Sequence, residues 1–127
     1  MERTHRTTIR VRYQETDAQR RVHHANYLNY FELGRVEMLR AAGISYRELE
    51  ARGLLLVVAE INCRYYLPAE FDDLLVLETT VREAKGARIV HDYRLMRGDE
   101  LLVEAQSTVA CIDSSGRVRR LPPELRL

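Results

Sequence analysis

Residues 15–42, ETDAQRRVHHANYLNYFELGRVEMLRAA, pass from a polar loop with one acid after Thr16 into the start of a long helix. From Asn26 onward Tyr27, Phe31, Met38 and Ala42 recur at helical spacing, with Leu28 and Leu39 beside them. Tyr30, Leu33 and Val36 widen the apolar surface past one stripe and leave Asn29, Glu32, Arg35, Glu37 and Arg40 as the main polar positions. Such a helix must be covered on more than one side. Gly34 costs about 1 kcal/mol relative to Ala in a helix interior, so its position predicts close approach of a neighbouring backbone. Gly43 ends the run as a C′ glycine would. Asn26 is a good N-cap, although the chain from His24 could already be turning inward. Either way, free backbone N–H groups fall within a few residues of Asp17.

Outward from this stretch the chain reads as sheet. Residues 7–13 alternate β-formers with Arg, the period of a half-buried strand, and residues 14–23 are a polar loop. After Gly43, Ser45 caps a short helix to Arg52 with Glu48 at the capping-box position, and Gly53 closes it. Residues 54–67 predict a long, largely buried strand stopped by Pro68. Residues 74–84 and 87–97 form a hairpin about Lys85-Gly86, and a turn at Gly98-Asp99 leads into residues 100–112. A turn at residues 113–116 precedes a short strand at 117–120, and residues 121–127 are irregular. Short turns force antiparallel neighbours. The class is therefore α+β, a curved antiparallel sheet wrapped around one long central helix.

With 127 residues and 46% hydrophobic content, the chain makes one domain, residues 1–127. Twenty basic side chains against nineteen acidic ones leave a net charge of +1, which argues against a nucleic-acid or anionic-membrane partner. Lys85 is the one lysine among the basic residues, so a preference for arginine runs through the whole chain. Cys63 and Cys111 stand in apolar strands without C-x-x-C spacing and read as buried, reduced thiols, hence a cytosolic setting. No apolar run has the length of a membrane span, and the polar N-terminus lacks the apolar core of a signal peptide. A soluble protein is expected.

Asp17 is the candidate for chemistry. An Asp in such a loop often does no more than cap a turn. A carboxylate beside helix N–H donors can also attack, or activate water toward, a carbonyl whose developing oxyanion those donors stabilise. His23 and His24 could act as an acid/base pair. As neighbours near a helix start they should point in different directions, and no H-x-x-x-H, C-x-x-C or acidic cluster accompanies them, so a metal site is not expected. The absence of G-x-S-x-G, P-loop and G-x-G-x-x-G patterns removes the common hydrolase, nucleotide and dinucleotide readings.

A family likeness adds to this. Tyr13-x-Glu15-Thr16-Asp17-Ala18, His24-Ala25-Asn26-Tyr27, Phe31-Glu32 and Arg35-x-Glu37-Met38-Leu39 are followed by Asn62-Cys63-Arg64-Tyr65, Pro68-Ala69 and Phe71-Asp72-Asp73-Leu74. In this order the set resembles the 4-hydroxybenzoyl-CoA thioesterase and YbgC-type acyl-CoA thioesterases of the hotdog fold, over nearly the whole chain. The resemblance implies hydrolysis of an acyl-CoA thioester, with Asp17 as the catalytic carboxylate and the backbone N–H of His24 polarising the thioester carbonyl. It implies substrate contacts from His23, the His24 side chain, Tyr27, Val58 and Glu60, and CoA-phosphate contacts from Lys85 and Arg88 at the 85–88 turn. It further implies a homodimer joined through its sheets, often a tetramer, in which residues 57–62 of the partner subunit line the acyl end, and no cofactor beyond the CoA of the substrate. Gln19-Arg20-Arg21 departs from the small or glycine-rich residues common after the family's Asp. The same fold hosts hydratases, which would use His23 or His24, and acyl-CoA-binding modules without catalysis.

Overall fold

The computed structural model describes residues 3–127. Its elements are β1 (Thr4–Arg10), a 3₁₀ turn (Tyr13–Glu15), α1 (Asn26–Ala41), α2 (Tyr46–Ala51), β2 (Leu55–Tyr65), β3 (Leu74–Lys85), β4 (Arg88–Arg97), β5 (Glu100–Ile112) and a second 3₁₀ turn (Pro123–Leu125). One antiparallel sheet runs in the order β1-β3-β4-β5-β2. Since β1 and β2 hold opposite edges, α1, which lies between them in sequence, has to cross the sheet. This is the α+β arrangement expected of a central helix and its wrapping sheet. Among the described residues no helix is long and apolar enough to cross a membrane.

The broad apolar surface of α1 explains its burial. Tyr27, Tyr30, Phe31, Gly34, Met38 and Leu39 are enclosed, and the Phe31 ring stacks on Tyr93 of β4 with centroids 4.5 Å apart. Tyr27, Tyr30 and Phe31 join Leu75, Leu77 and Leu95 in one core cluster, while Met38 and Leu39 join Leu49, Ile89 and Leu121 in another. What crowds Gly34 is side chain, where backbone had been expected. A Cβ built there would stand 2.5 Å from Thr79 Oγ1 and 2.7 Å from Leu77 Cδ2. Gly34→Ala thus sets a helix-propensity gain of about 1 kcal/mol against overpacking that costs about 1–3 kcal/mol. Thr79 is β-branched, wholly buried and slow to yield, so the clash wins. Urea unfolding should show Gly34→Ala less stable by about 1–2 kcal/mol; a more stable variant would show that the contact relaxes freely.

Several boundaries differ from the sequence reading. The first strand occupies Thr4–Arg10, and Tyr13, assigned to it, begins the 3₁₀ turn. The N-cap of α1 is Ala25 in helical conformation, because the Asn26 side chain is turned away to donate to the Glu15 carbonyl at 2.8 Å. Ser45 does cap α2, accepting from Glu48 N–H. The hairpin turn is Gly86-Ala87, with Lys85 and Arg88 paired across its base. Residues 117–120 form no strand, only a single Val118–Ile112 bridge, and the C-terminal residues are less irregular than expected. Leu121 and Leu125 are fully buried, and Leu127 N–H donates to the Ala84 carbonyl.

The largest correction concerns β2. It is an edge strand whose outer side has no strand partner among the described residues, and residues 57–60 are exposed, including Val57 and Val58. Its ladder with β5 is interrupted by a bulge between Val58 and Glu60. An exposed apolar edge of this length is a template for another strand. Both cysteines are free thiols. Cys111 is buried as expected, Cys63 only partly, and burial pushes both thiols up, which disfavours the nucleophilic thiolate.

Candidate active site

The loop before α1 is built by hydrogen bonds that the residue pattern did not reveal. The Glu15 carboxylate accepts from Arg12 N–H at 2.7 Å and from the Tyr30 hydroxyl at 2.9 Å. Burial and that carboxylate raise the Tyr30 phenol far above its ordinary pKa, so it stays a donor. The Glu15 carbonyl accepts from His23 N–H and from the Asn26 amide. Glu15 therefore fixes both ends of the 16–25 segment from one point, and a Thr16–Val22 bridge closes the small loop between them.

Asp17 sits at the start of that loop. Its N–H donates to the Arg21 carbonyl, its carbonyl accepts from Arg20 N–H, and its Oδ1 accepts from Gln19 N–H at 2.8 Å. Turn-capping is thus real, and it uses one carboxylate oxygen; Oδ2 has no partner among the described residues. Asp17 lines a pocket of about 210 Å³ with Arg21, His24, Tyr27, Tyr65 and Pro68. Another wall, residues 65–68, begins with Tyr65, the last residue of β2, and continues into the segment after it. Tyr65 holds it against the helix start by donating to the His24 carbonyl, and Tyr27 accepts from Ala69 N–H. The N–H of His24 has no acceptor among the described residues, whereas those of His23, Ala25 and Asn26 are all used.

The two imidazoles do not diverge as expected. They stack at 4.2 Å between centroids, and the His23 Nδ1 accepts from Ala25 N–H, so His23 serves the turn while His24 faces the pocket. The residues carried over from the resemblance divide accordingly. Asp17, His24 and Tyr27 come together. Val58 and Glu60 lie five to seven positions back along β2 from Tyr65, about 15–25 Å away at the rise of a strand. Arg88 pairs with Ala110, which pairs with Val57, so Lys85 and Arg88 belong to the opposite end of the sheet from the Asp17 pocket. Within the single chain these four residues do not reach Asp17.

Gln19-Arg20-Arg21 also has a local consequence. Arg20 adopts φ +65°, a left-handed conformation that costs an L-residue with a Cβ roughly 1–2 kcal/mol. A glycine there loses more chain entropy on folding, which offsets part of the relief. Arg20→Gly is expected to raise the unfolding free energy by about 0.5–1 kcal/mol, read by chemical denaturation; a loss of stability would mean that the Arg20 side chain holds the loop.

A family model described as the thioesterase-like superfamily matches residues 11–127. The chain is 43% identical over 106 residues to the acyl-CoA thioesterase YbgC of Haemophilus influenzae, covering 83% of this chain and 78% of that protein. It is 37% identical over 109 residues to the acyl-CoA thioester hydrolase YbgC of Escherichia coli, covering 85% and 81%. The crystal structure of a probable thioesterase from Bartonella henselae superposes with a TM-score of 0.89 at 35% identity, over 94% of this chain and 99% of that one. With its five-stranded sheet, its crossing helix and these relatives, the chain belongs to the thioesterase-like superfamily and is a thioester hydrolase with the hotdog fold.

Proposed function

We propose that the chain hydrolyses an acyl-CoA thioester to a carboxylic acid and free CoA. The observation that carries this reading is that the Asp17 carboxylate and the unpartnered His24 N–H belong to one pocket at the start of α1. The His24 N–H donates to the thioester carbonyl oxygen and gains strength as charge develops there, helped by the positive end of the helix dipole. Asp17, with one oxygen engaged by the turn, presents the other to the carbonyl carbon or to a water. As a nucleophile it forms an anhydride and expels the thiolate, and water then cleaves the anhydride; as a base it takes the proton of the attacking water. The bonds made and broken are the same overall, and the reaction needs no group beyond the chain and water.

The subunit completes this site by pairing. Two β2 edges joined antiparallel about a two-fold at Glu60 would set Leu55 of the partner subunit opposite Tyr65. Residues 57–62 of the partner subunit then run along residues 58–63 of this one and lead to the pocket, with the partner's Leu55 and Leu56 nearest its Tyr65 wall, and the partner's 85–88 turn lies two strands in from the shared edge, where Lys85 and Arg88 can meet CoA phosphates. Lys85 is only loosely engaged by Glu83 at 3.5 Å. The exposed Val57 and Val58 gain cover in this arrangement. A homodimer, or a tetramer of two such dimers, follows.

Free-thiol release from saturated acyl-CoAs, followed beside hydration of enoyl-CoAs, tests the reading against a hydratase. Thiol release from saturated substrates is the expected result. Hydration of an enoyl-CoA without thiol release would transfer the chemistry to His24.

A further inference from the structure

A cavity of about 310 Å³ opens between α1 and strands β2, β4 and β5, on the far side of the domain from Asp17. Val36, Met38, Leu39, Leu56, Ile89 and Val109 give it apolar walls. Its polar members are Glu32, Arg35, Tyr46 and His91. Tyr46 is committed, since its hydroxyl exchanges hydrogen bonds with both backbone groups of Leu56. Glu32 stands exposed and forms no ion pair among the described residues.

Arg35 and His91 are different. Arg35 donates to the Tyr93 hydroxyl at 2.9 Å, and that hydroxyl lies 2.6 Å from Ser107 Oγ, a buried chain that fixes the guanidinium against the sheet. Among the described residues Arg35 has no carboxylate partner, so most of its donor fork remains unused. His91 is 6% exposed, and its Nδ1 is enclosed without a hydrogen-bond partner. Burial and the Arg35 charge keep this ring neutral, so it offers one N–H and one lone pair. A held guanidinium and an unpartnered imidazole in the lining of an otherwise largely apolar cavity form an arrangement that a simple hydrocarbon tail leaves unsatisfied.

We propose that this cavity receives the far end of an acyl group terminated by a carboxylate, making ω-carboxyacyl thioesters the preferred substrates, with Arg35 and His91 as specificity-determining residues. The proposal rests on the two-subunit thioesterase reading above. Antiparallel pairing of β2 carries the Leu56 end of one subunit, and with it this cavity, toward the Asp17 pocket of the partner subunit. The methylene chain occupies the apolar walls. The terminal carboxylate accepts from the planar guanidinium fork, whose geometry a carboxylate matches and a hydroxyl or methyl does not.

The test compares kcat/KM for matched pairs of acyl-CoAs of four to eight carbons, one ending in methyl and the other in carboxylate, using the intact protein and Arg35→Met. Wild type should favour the carboxylate member of at least one pair by tenfold or more, the scale of a charge-assisted hydrogen bond. In Arg35→Met, which keeps the apolar stem, this ratio should fall to about one, and Arg35→Lys should restore part of it. Arg35→Met should keep a cooperative unfolding transition, because its side chain is half-exposed. Equal turnover of both members by wild type, or an unchanged ratio in Arg35→Met, overturns the proposal while leaving the thioesterase reading intact. No thiol release from any of these pairs overturns the proposal, and no release from aromatic acyl-CoAs beside them overturns the thioesterase reading as well.

Discussion

Asp17→Asn is expected to lower kcat for thioester hydrolysis by about 100-fold or more, with fold and oligomeric state unchanged. The substitution separates the two duties of the side chain. An amide oxygen can still accept the Gln19 N–H that Oδ1 accepts at 2.8 Å, so the turn between Thr16 and Val22 keeps its shape. What disappears is the negative charge and basicity of the second oxygen, the one without a protein partner. An amide neither forms the anhydride nor takes a proton from water, and the oxyanion donor at His24 is left to act alone. Loss of both activity and stability would place Asp17 in the turn only. If kcat falls while KM holds, the lost interaction belongs to the transition state.

The second large effect is acid lability centred on His91. Its pKa is lowered to about 4, first by burial and then by the Arg35 charge, with Asp92 opposing. The folded chain therefore protonates this ring only near pH 4, whereas the unfolded chain takes up the proton below about 6.5. Between those values the unfolded state binds more protons, so stability falls as pH drops from about 6.5 toward 4. The full shift corresponds to about 3 kcal/mol, a large share of the stability of a small domain. Urea unfolding at pH 7 and pH 4.5 should show this loss in wild type, and His91→Leu should flatten the dependence. An equally steep pH profile in His91→Leu would assign the lability to the carboxylates instead.

Legibility of the fold followed how local each cause was. The α1 boundaries came out within a residue at its C-terminal end, because the wide apolar surface and Gly43 are local signals. The three hairpin strands were equally readable from their turns. The apolar run at residues 54–67 was read as buried, yet in one subunit β2 is an exposed edge. Sequence records that a strand is apolar and says nothing of what covers it. In the proposed dimer the same residues face a partner. Residues 121–127 are irregular as read apart from one 3₁₀ turn, yet their burial was not legible, because Leu121 and Leu125 pack against strands distant in sequence.

The site divided in the same manner. Asp17 and the helix start were evident together because they are close in sequence. The bonds from Glu15 to Tyr30 and Asn26 span eleven to fifteen residues, and nothing in the spacing marks them. The stacking of His23 on His24 follows from the bend that Ala25 N–H makes onto His23 Nδ1, against the expectation that neighbours diverge. Arg35, Tyr93, Ser107 and His91 come from three separate elements and meet only in the folded core. One of many arginines in an arginine-rich chain carries no mark of its own.

The central claim is that the pocket at the start of α1 cleaves thioesters by means of Asp17. The most direct test is the initial rate of free-thiol release from a panel of aromatic and aliphatic acyl-CoAs, measured for the wild-type protein with Asp17→Asn beside it. The account predicts turnover of at least one acyl class by wild type and a rate lower by about 100-fold or more in the variant. Absence of thiol release across the panel, or equal rates for the two proteins, would contradict it.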